Sequence, residues 1–467
     1  MAGTSNQRGE WGSKLGFVLA AAGSAIGLGN IWKFPFEVAD GGGGAFVLLY
    51  LFFCFVLCYP VMVTEIAIGR KANKNAVGAF TALGFPKWRI VGLLGVTSGV
   101  LILSFYNVVA GWAFGYTLEL FMGNFGIGDE FGTFIADAIK VGLYGIIFMV
   151  LTAWIVSGGV ASGIERAAKL LMPTLLFLIV ALAIYSMTLP NAMEGIRFYL
   201  VPDFSEITFN VVYNALGQAF FSLSLGMGAL ITYGSYLSKR ENIAQSAALI
   251  TLTDVGVAVL AGLLMFPLVA YLSEGDMSNV EGGAGLIFVT LPGVFESLGG
   301  TLGIVVGGLF FLLLSFAALT STVSLLEVPT SYIIDEWKVP RKIAAPLIAG
   351  IIFVIGIPSL LSNGYSGFFT NFVTYFGAES PTSFMTLVEH ISSESFLPLG
   401  GCLIVIFAAY VWHKENLSAE IAQGADGFKG SFLEKYIHFA VGYLCPAVLS
   451  IIFVLTVLNL YFGISFF

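Results

Sequence analysis

Apolar residues run along this chain in long blocks, separated by short polar or glycine-rich stretches. A helix that crosses a bilayer needs about 20 apolar residues. On that rule the pattern predicts eleven spans, near residues 15–38, 43–69, 88–122, 139–157, 167–188, 209–237, 244–272, 301–335, 343–361, 396–413 and 437–462. Several exceed what a bilayer requires, so they tilt or project beyond it. Two blocks are interrupted from within. The first carries Gly23-Ser24-Ala25-Ile26-Gly27-Leu28-Gly29-Asn30, followed by Lys33 and Pro35. The sixth carries Ser222-Leu223-Ser224-Leu225-Gly226-Met227-Gly228. Glycine costs a helix about 1 kcal/mol relative to alanine. Irregular backbone at membrane depth is tolerated only where it is enclosed by protein or lines a cavity. The pattern therefore predicts helices unwound at mid-membrane, with freed carbonyls and amides facing a ligand.

The two interrupted spans lie five helices apart. Five is odd, so a second half repeating the first would enter the membrane upside down. Interrupted helices at matching positions of two such halves mark inverted-repeat secondary transporters. The expected fold is an all-α polytopic membrane protein, with a 5+5 inverted repeat and unwound helices 1 and 6. Its single transmembrane domain covers 1–467, with repeat one at about 12–190, repeat two at about 205–413 and an extra helix at about 437–462.

Composition agrees. Only 10% of residues are charged and 58% are hydrophobic, where a soluble domain carries about 25% charge. All lysines and arginines except Lys33, Lys140 and Arg197 fall on one side of the predicted topology. Positive charge marks the cytoplasmic face. This places the N-terminus inside and, with eleven spans, the C-terminus outside, in the inner (plasma) membrane. The stretch from Met1 to Glu10 is polar and carries no signal-peptide pattern. Cys54 and Cys58, one helical turn apart, read as a metal pair or as two small buried residues; no histidine or carboxylate neighbours them. His390, His413 and His438 are dispersed, and no glycine run has a nucleotide-binding context. Nothing here suggests an enzyme.

Several strings together resemble the neurotransmitter:sodium symporter family, and most closely its bacterial amino-acid branch. They are Trp11, Gly23 to Asn30 with Phe34-Pro35, Gly42 to Phe46, Glu65 with Gly69-Arg70, Gly163 to Arg166, Ser222 to Gly228, and Ala317 to Ser321. The similarity is collinear from about residue 8 to 413. It implies a sodium-coupled symporter that takes up an amino acid by alternating access. The expected partners are that amino acid and the lipid bilayer, with no nucleic acid, and the chain acts as a monomer or weak homodimer. A transporter-like sensor, binding an amino acid without moving it, would carry the same site.

The resemblance also implies a site. One sodium ion would be held by backbone oxygens of Gly23, Ile26 and Ala317 with the hydroxyls of Thr320 and Ser321. Taken alone, those hydroxyls read first as bonded to their own helix; it is the Gly23 stretch and the resemblance that turn them toward sodium. A second sodium would take the Ala25 carbonyl, Asn30, Ser222 and Asp254. The family usually has asparagine at the last position. A carboxylate inside a span is a functional candidate by default. With Asp254 supplying a fixed negative charge, and Ala258 one turn later, no chloride is expected. Protonation of Asp254 after sodium leaves would open a return route for a proton. The substrate carboxylate would meet the Ala25–Gly29 backbone and Tyr106, with Gly27 arguing for a substrate that brings its own carboxylate. Ile102, Tyr106, Phe221, Ser222, Ser224, Met227, Ser321 and Leu325 would complete an uncharged pocket for an apolar or aromatic side chain. Lys33 with Glu389 would gate the outside, and Arg8 with Asp335 the inside.

Overall fold

The computed structural model describes residues 9–277, 285–376, 378 and 380–464. Within them the chain is helical, with no strand and two isolated bridges, Gly43 to Pro202 and Val373 to Thr382. Nine helical runs are long and apolar enough to cross a membrane, and a tenth appears if the bent pair Lys14–Ala25 and Gly29–Asp40 is one span. The remaining predicted span, the sixth, falls on two short helices, Phe209–Ser222 and Ala229–Gly234. Neither is long enough to cross alone. The tenth predicted span begins earlier than its hydropathy suggested. Its helix opens at Phe384, capped by the Ser383 hydroxyl on the Thr386 amide, and continues to Val411. Polar Glu389, His390, Ser392, Ser393 and Glu394 dilute the apolar signal of its first turns.

Span one breaks where its glycines cluster. Ser13 caps the N-terminal half, Lys14–Ala25, by accepting the Gly16 amide. The helix ends at Ile26, whose ψ of 98° is extended. The chain resumes at Gly29 in a wide turn and runs on through Asp40, bent by 51° from the N-terminal half. Span six breaks over Leu223–Gly228, where Ser224, Gly226 and Gly228 all have positive φ.

The helices pack in two groups. Spans three (Pro86–Phe121), four (Ala138–Ser157), eight (Gly300–Trp337) and nine (Arg341–Leu361) pack extensively on one another. Span two (Gly44–Ala72) packs on both halves of span six, and span seven (Ile243–Leu272) packs on span one. Span one also touches span eight, so the two breaks lie where the groups meet. The outward faces stay apolar: Ile139, Leu143, Ile147, Trp154, Ile351 and Val354 are exposed. In water such a surface would drive aggregation; in a bilayer it is the lipid-facing side.

Candidate functional site

The site is built on backbone that helices cannot satisfy. At the span-one break the Leu28 amide donates to the Tyr106 hydroxyl of span three at 2.8 Å. The Asn30 amide reaches the Gly27 carbonyl at 3.3 Å, and the Gly27 amide donates to Asn30 Oδ1 at 3.3 Å. From span six, Gln218 Nε2 donates to the Gly29 carbonyl at 2.8 Å. The two breaks are therefore stitched together by side chains.

Asp254 sits at this junction, fully buried in the middle of span seven. Asn30 Nδ2 donates to its Oδ1 at 2.8 Å. Ser222 Oγ lies 3.2 and 3.0 Å from its two oxygens, and the Tyr50 hydroxyl donates to Oδ2 at 3.2 Å. Among these partners there is no cation. Burying a carboxylate is costly unless it is paired, so three neutral donors leave this one suited to a positive ion. Asn30, Ser222 and Asp254 come together as the sequence suggested, and Ala25 ends the helix just before the break.

The other predicted oxygen cluster also assembles. Thr320 Oγ1 donates to Ala317 O at 3.0 Å and lies 3.4 Å from Ile26 O. The hydroxyl is thus bonded within its own helix and also lies beside a carbonyl freed at the span-one break. A Cβ on Gly23 would lie 3.2 Å from Thr320 Cβ, and Ser321 Oγ donates to Ser24 O at 3.3 Å. Carbonyls and hydroxyls are ligands for a hard cation. Among the described residues no three His, Cys, Asp or Glu side chains gather as a softer metal would need. Cys54, Cys58, Cys402 and Cys445 are free and buried.

Glycine lets the site's side chains approach the broken backbone closely. A Cβ on Gly27 would overlap Ser321 Oγ and stand 2.6 Å from the Tyr106 hydroxyl. A Cβ on Gly29 would stand 3.0 Å from the Phe221 ring. Of the substrate candidates, Tyr106 and Phe221 border a cavity of about 200 Å³ that also meets Trp32, Lys33 and Glu389. Ala25, Gly29, Ile102, Ser222, Ser224, Met227, Ser321 and Leu325 are buried and lie outside its lining.

At the gates the outcome differs by side. Lys33 and Glu389 face the same cavity, but they do not close into an ion pair among the described residues; Lys33 Nζ lies 5.0 Å over the Phe221 ring instead. Lysine presents a point charge on a long stem, free to leave a carboxylate for an aromatic face. Asp335 accepts the Asn75 amide at 2.8 Å. Arg8, its expected partner, lies outside the described residues. Trp11, near the start of the described chain, packs on the second half of span six, its Nε1 donating to Tyr233 O at 3.0 Å.

Sequence reasoning assigns no role to several residues that the structure makes prominent. Glu327 is fully buried in span eight and takes two hydrogen bonds from Arg341, at 2.5 and 2.8 Å, and one from Tyr236 at 2.7 Å. The intramembrane-carboxylate signal that exposed Asp254 applied equally to Glu327. Arg70 and Glu420 form a fully buried pair at 2.8 Å, joined by Lys239 at 2.7 Å. The pair spans 350 positions of chain, which no local pattern reveals. Glu65 accepts the Gly226 amide at 2.7 Å, bracing the span-six break.

Comparison with known proteins agrees with this geometry. A family model described as "Sodium:neurotransmitter symporter family" matches residues 8–129 and 135–463. The chain is 38% identical over 453 residues to an uncharacterized sodium-dependent transporter of Bacillus subtilis, YhdH, covering 95% of this chain and 96% of that one. It is 33% identical over 472 residues to an uncharacterized sodium-dependent transporter of Haemophilus influenzae, covering 97% and 99%. The crystal structure of MhsT in complex with L-phenylalanine superposes with a TM-score of 0.85 at 42% identity, covering 96% of this chain and 99% of that one. With matches along nearly its whole length, the chain belongs to the sodium:neurotransmitter symporter family and is a sodium-dependent membrane transporter rather than an enzyme.

Proposed function

We propose that this protein is a sodium-coupled symporter for an apolar or aromatic amino acid, working by alternating access and without chloride. The observation that carries this reading is the meeting of both broken spans on Asp254 through Asn30 and Ser222. A buried carboxylate held only by neutral donors favours a cation, and the neighbouring Ala25–Gly29 backbone favours a carboxylate. Amides at a half-helix N-terminus attract anions. Gly27 carries no side chain to pair with an amine, so the substrate supplies its own acid group. The remaining pocket candidates, Ile102, Met227 and Leu325, are apolar and buried. That the related MhsT was solved with L-phenylalanine supports a substrate of this class.

Two sodium sites fit the two oxygen clusters, one at Asp254 and one at Thr320 and Ser321. Asp254, when ionised, places the protein's own negative charge where an anion would otherwise be needed, and Ala258 one turn on is apolar and buried. Sodium stabilises the form open to the outside and completes the substrate site; substrate then favours closure over Lys33, Phe221 and Tyr106. Each ligand shifts the equilibrium only by its differential affinity for the two forms. The inner half of span one, tied to its surroundings through Trp11 and the Glu165 contacts to Gly12 and Ser13, is the element that must release to open inward. The full chain belongs in the cytoplasmic membrane with its N-terminus inside, as its lysine and arginine distribution indicates.

The test is uptake of tritiated amino acids into proteoliposomes under an inward sodium gradient, with gluconate in place of chloride. Accumulation that needs sodium and ignores chloride supports the reading. Sodium-dependent binding without accumulation points to a sensor. Transport abolished by removing chloride overturns the anion-free site.

A further inference from the structure

Unwinding span one leaves the Ser24 carbonyl without its helical partner. In a continuous helix it would accept the Leu28 amide, but that amide donates to Tyr106. Ser24 O instead accepts two hydroxyls from elsewhere in the molecule. Ser224 donates from the span-six break at 2.9 Å, and Ser321 from span eight at 3.3 Å. The Ser24 hydroxyl in turn donates to Ser324 Oγ at 2.7 Å, and Ser324 donates onward to Ser321 O at 2.8 Å. All four serines are buried.

The direction of these bonds matters. A serine hydroxyl has one proton and two lone pairs. Once Ser321 and Ser224 give their protons to Ser24 O, their lone pairs are turned to other neighbours. Ser321 is a candidate cation ligand and Ser224 a candidate substrate-binding residue. One carbonyl therefore sets a hydroxyl at each.

We infer that Ser24, braced by Ser324, is a positioning residue that couples the sodium site at Ser321 to the amino-acid pocket at Ser224. The inference rests on the sodium-coupled reading above. It touches neither ligand: Ser24 acts through the two hydroxyls it orients. It also makes the coupling conditional on conformation. Three of the four hydrogen bonds join the inner half of span one to spans six and eight, so moving that half away breaks those three together, and both hydroxyls lose their orientation at once. Such coupling is reciprocal, each ligand tightening the other by the same factor.

The experiment uses the purified full-length protein and sodium titration of tritiated L-phenylalanine binding. Ser24→Ala and Ser324→Ala each raise the half-saturating sodium concentration about 3- to 10-fold, the effect of losing one buried hydrogen bond. Maximal binding at high sodium is retained. The double variant is no weaker than the worse single one, because both changes remove the same bond. Ser331→Ala is the structural control. Its hydroxyl is equally buried in span eight but donates only to its own helix, at Val328 O, and its loss leaves sodium dependence unchanged. The inference is overturned if Ser24→Ala and Ser324→Ala keep the sodium dependence of the wild type, or if they lose only stability, as Ser331→Ala does. Should one of them fail to fold, the other decides. Amino-acid binding by the wild type that ignores sodium overturns both this coupling and the symporter reading; unchanged variants in a sodium-dependent wild type overturn the coupling alone.

Discussion

Spans one and six are both broken at mid-membrane and both contain three or more small residues, yet they break for different reasons. The span-one break is short, Ile26 to Leu28, and none of Gly23, Gly27 or Gly29 adopts positive φ. Its glycines supply space: side chains there would collide with Ser321, Tyr106, Phe221 or Thr320. The span-six break is longer, and Ser224, Gly226 and Gly228 have φ of 53°, 82° and 74°. There the glycines supply conformation, since L-residues pay about 1–2 kcal/mol in the left-handed region. A glycine in a membrane helix can thus mark a place for a ligand or a turn of the chain, and only the second is a property of backbone alone.

The sharpest way to separate the two is to add one methyl group to each. Gly226→Ala forces a left-handed alanine and drives its Cβ into the Leu397 carbonyl. The expected result is failure to fold, or a Tm in detergent lowered by at least about 5 °C, measured by thermal shift. Gly27→Ala leaves an allowed backbone and crowds only the tips of two side chains at the site, the Ser321 and Tyr106 hydroxyls. It should fold with a near-normal Tm while amino-acid transport falls about 100-fold, the scale of a misplacement near 1 Å at a site. Equal loss of stability in both variants would erase the distinction between the breaks.

A third test addresses what the breaks share. Asp254→Asn keeps the shape and hydrogen-bonding size but removes the charge on which both converge. Half-saturating sodium should rise at least about tenfold, equivalent to about 1.4 kcal/mol, and chloride should begin to stimulate uptake. Sodium dependence that stays at the wild-type level would remove Asp254 from the cation site. The smallest effect is expected at Ser224. Ser224→Gly relieves the left-handed strain but loses the bond to Ser24 O, terms of similar size, so Tm should move by no more than about 2 °C. Ser224→Ala keeps the strain and loses the bond, and should be the less stable of the two.

Much of this molecule was legible because membrane solvent makes sequence blunt. Without water, every helix needs a continuous apolar run, and every interruption needs a reason. Hence the spans, the two breaks and Asp254 stood out. Span ten was read short because its opening turns carry Glu389, His390 and Glu394, which border protein and cavity rather than lipid. Glu327 was overlooked within its long apolar helix, although Arg341, its partner, follows directly after Pro340. The expected Lys33 and Glu389 pair illustrates the limit of pattern: the two residues reach one cavity, but the ammonium rests over Phe221.

The sequence alone determined that this chain lives in a bilayer, where its helices are interrupted and which polar groups are carried to mid-membrane. Those features follow from transfer of side chains and backbone out of water, which is local to each residue. Which carbonyl takes which hydroxyl was decided only by the tertiary structure. Ser24 lies 200 positions from Ser224 and 297 from Ser321, and Arg70 lies 350 from Glu420. Hydrogen bonds are short and directional, so partners this far apart along the chain are set by packing of the whole bundle and leave no period or motif to read.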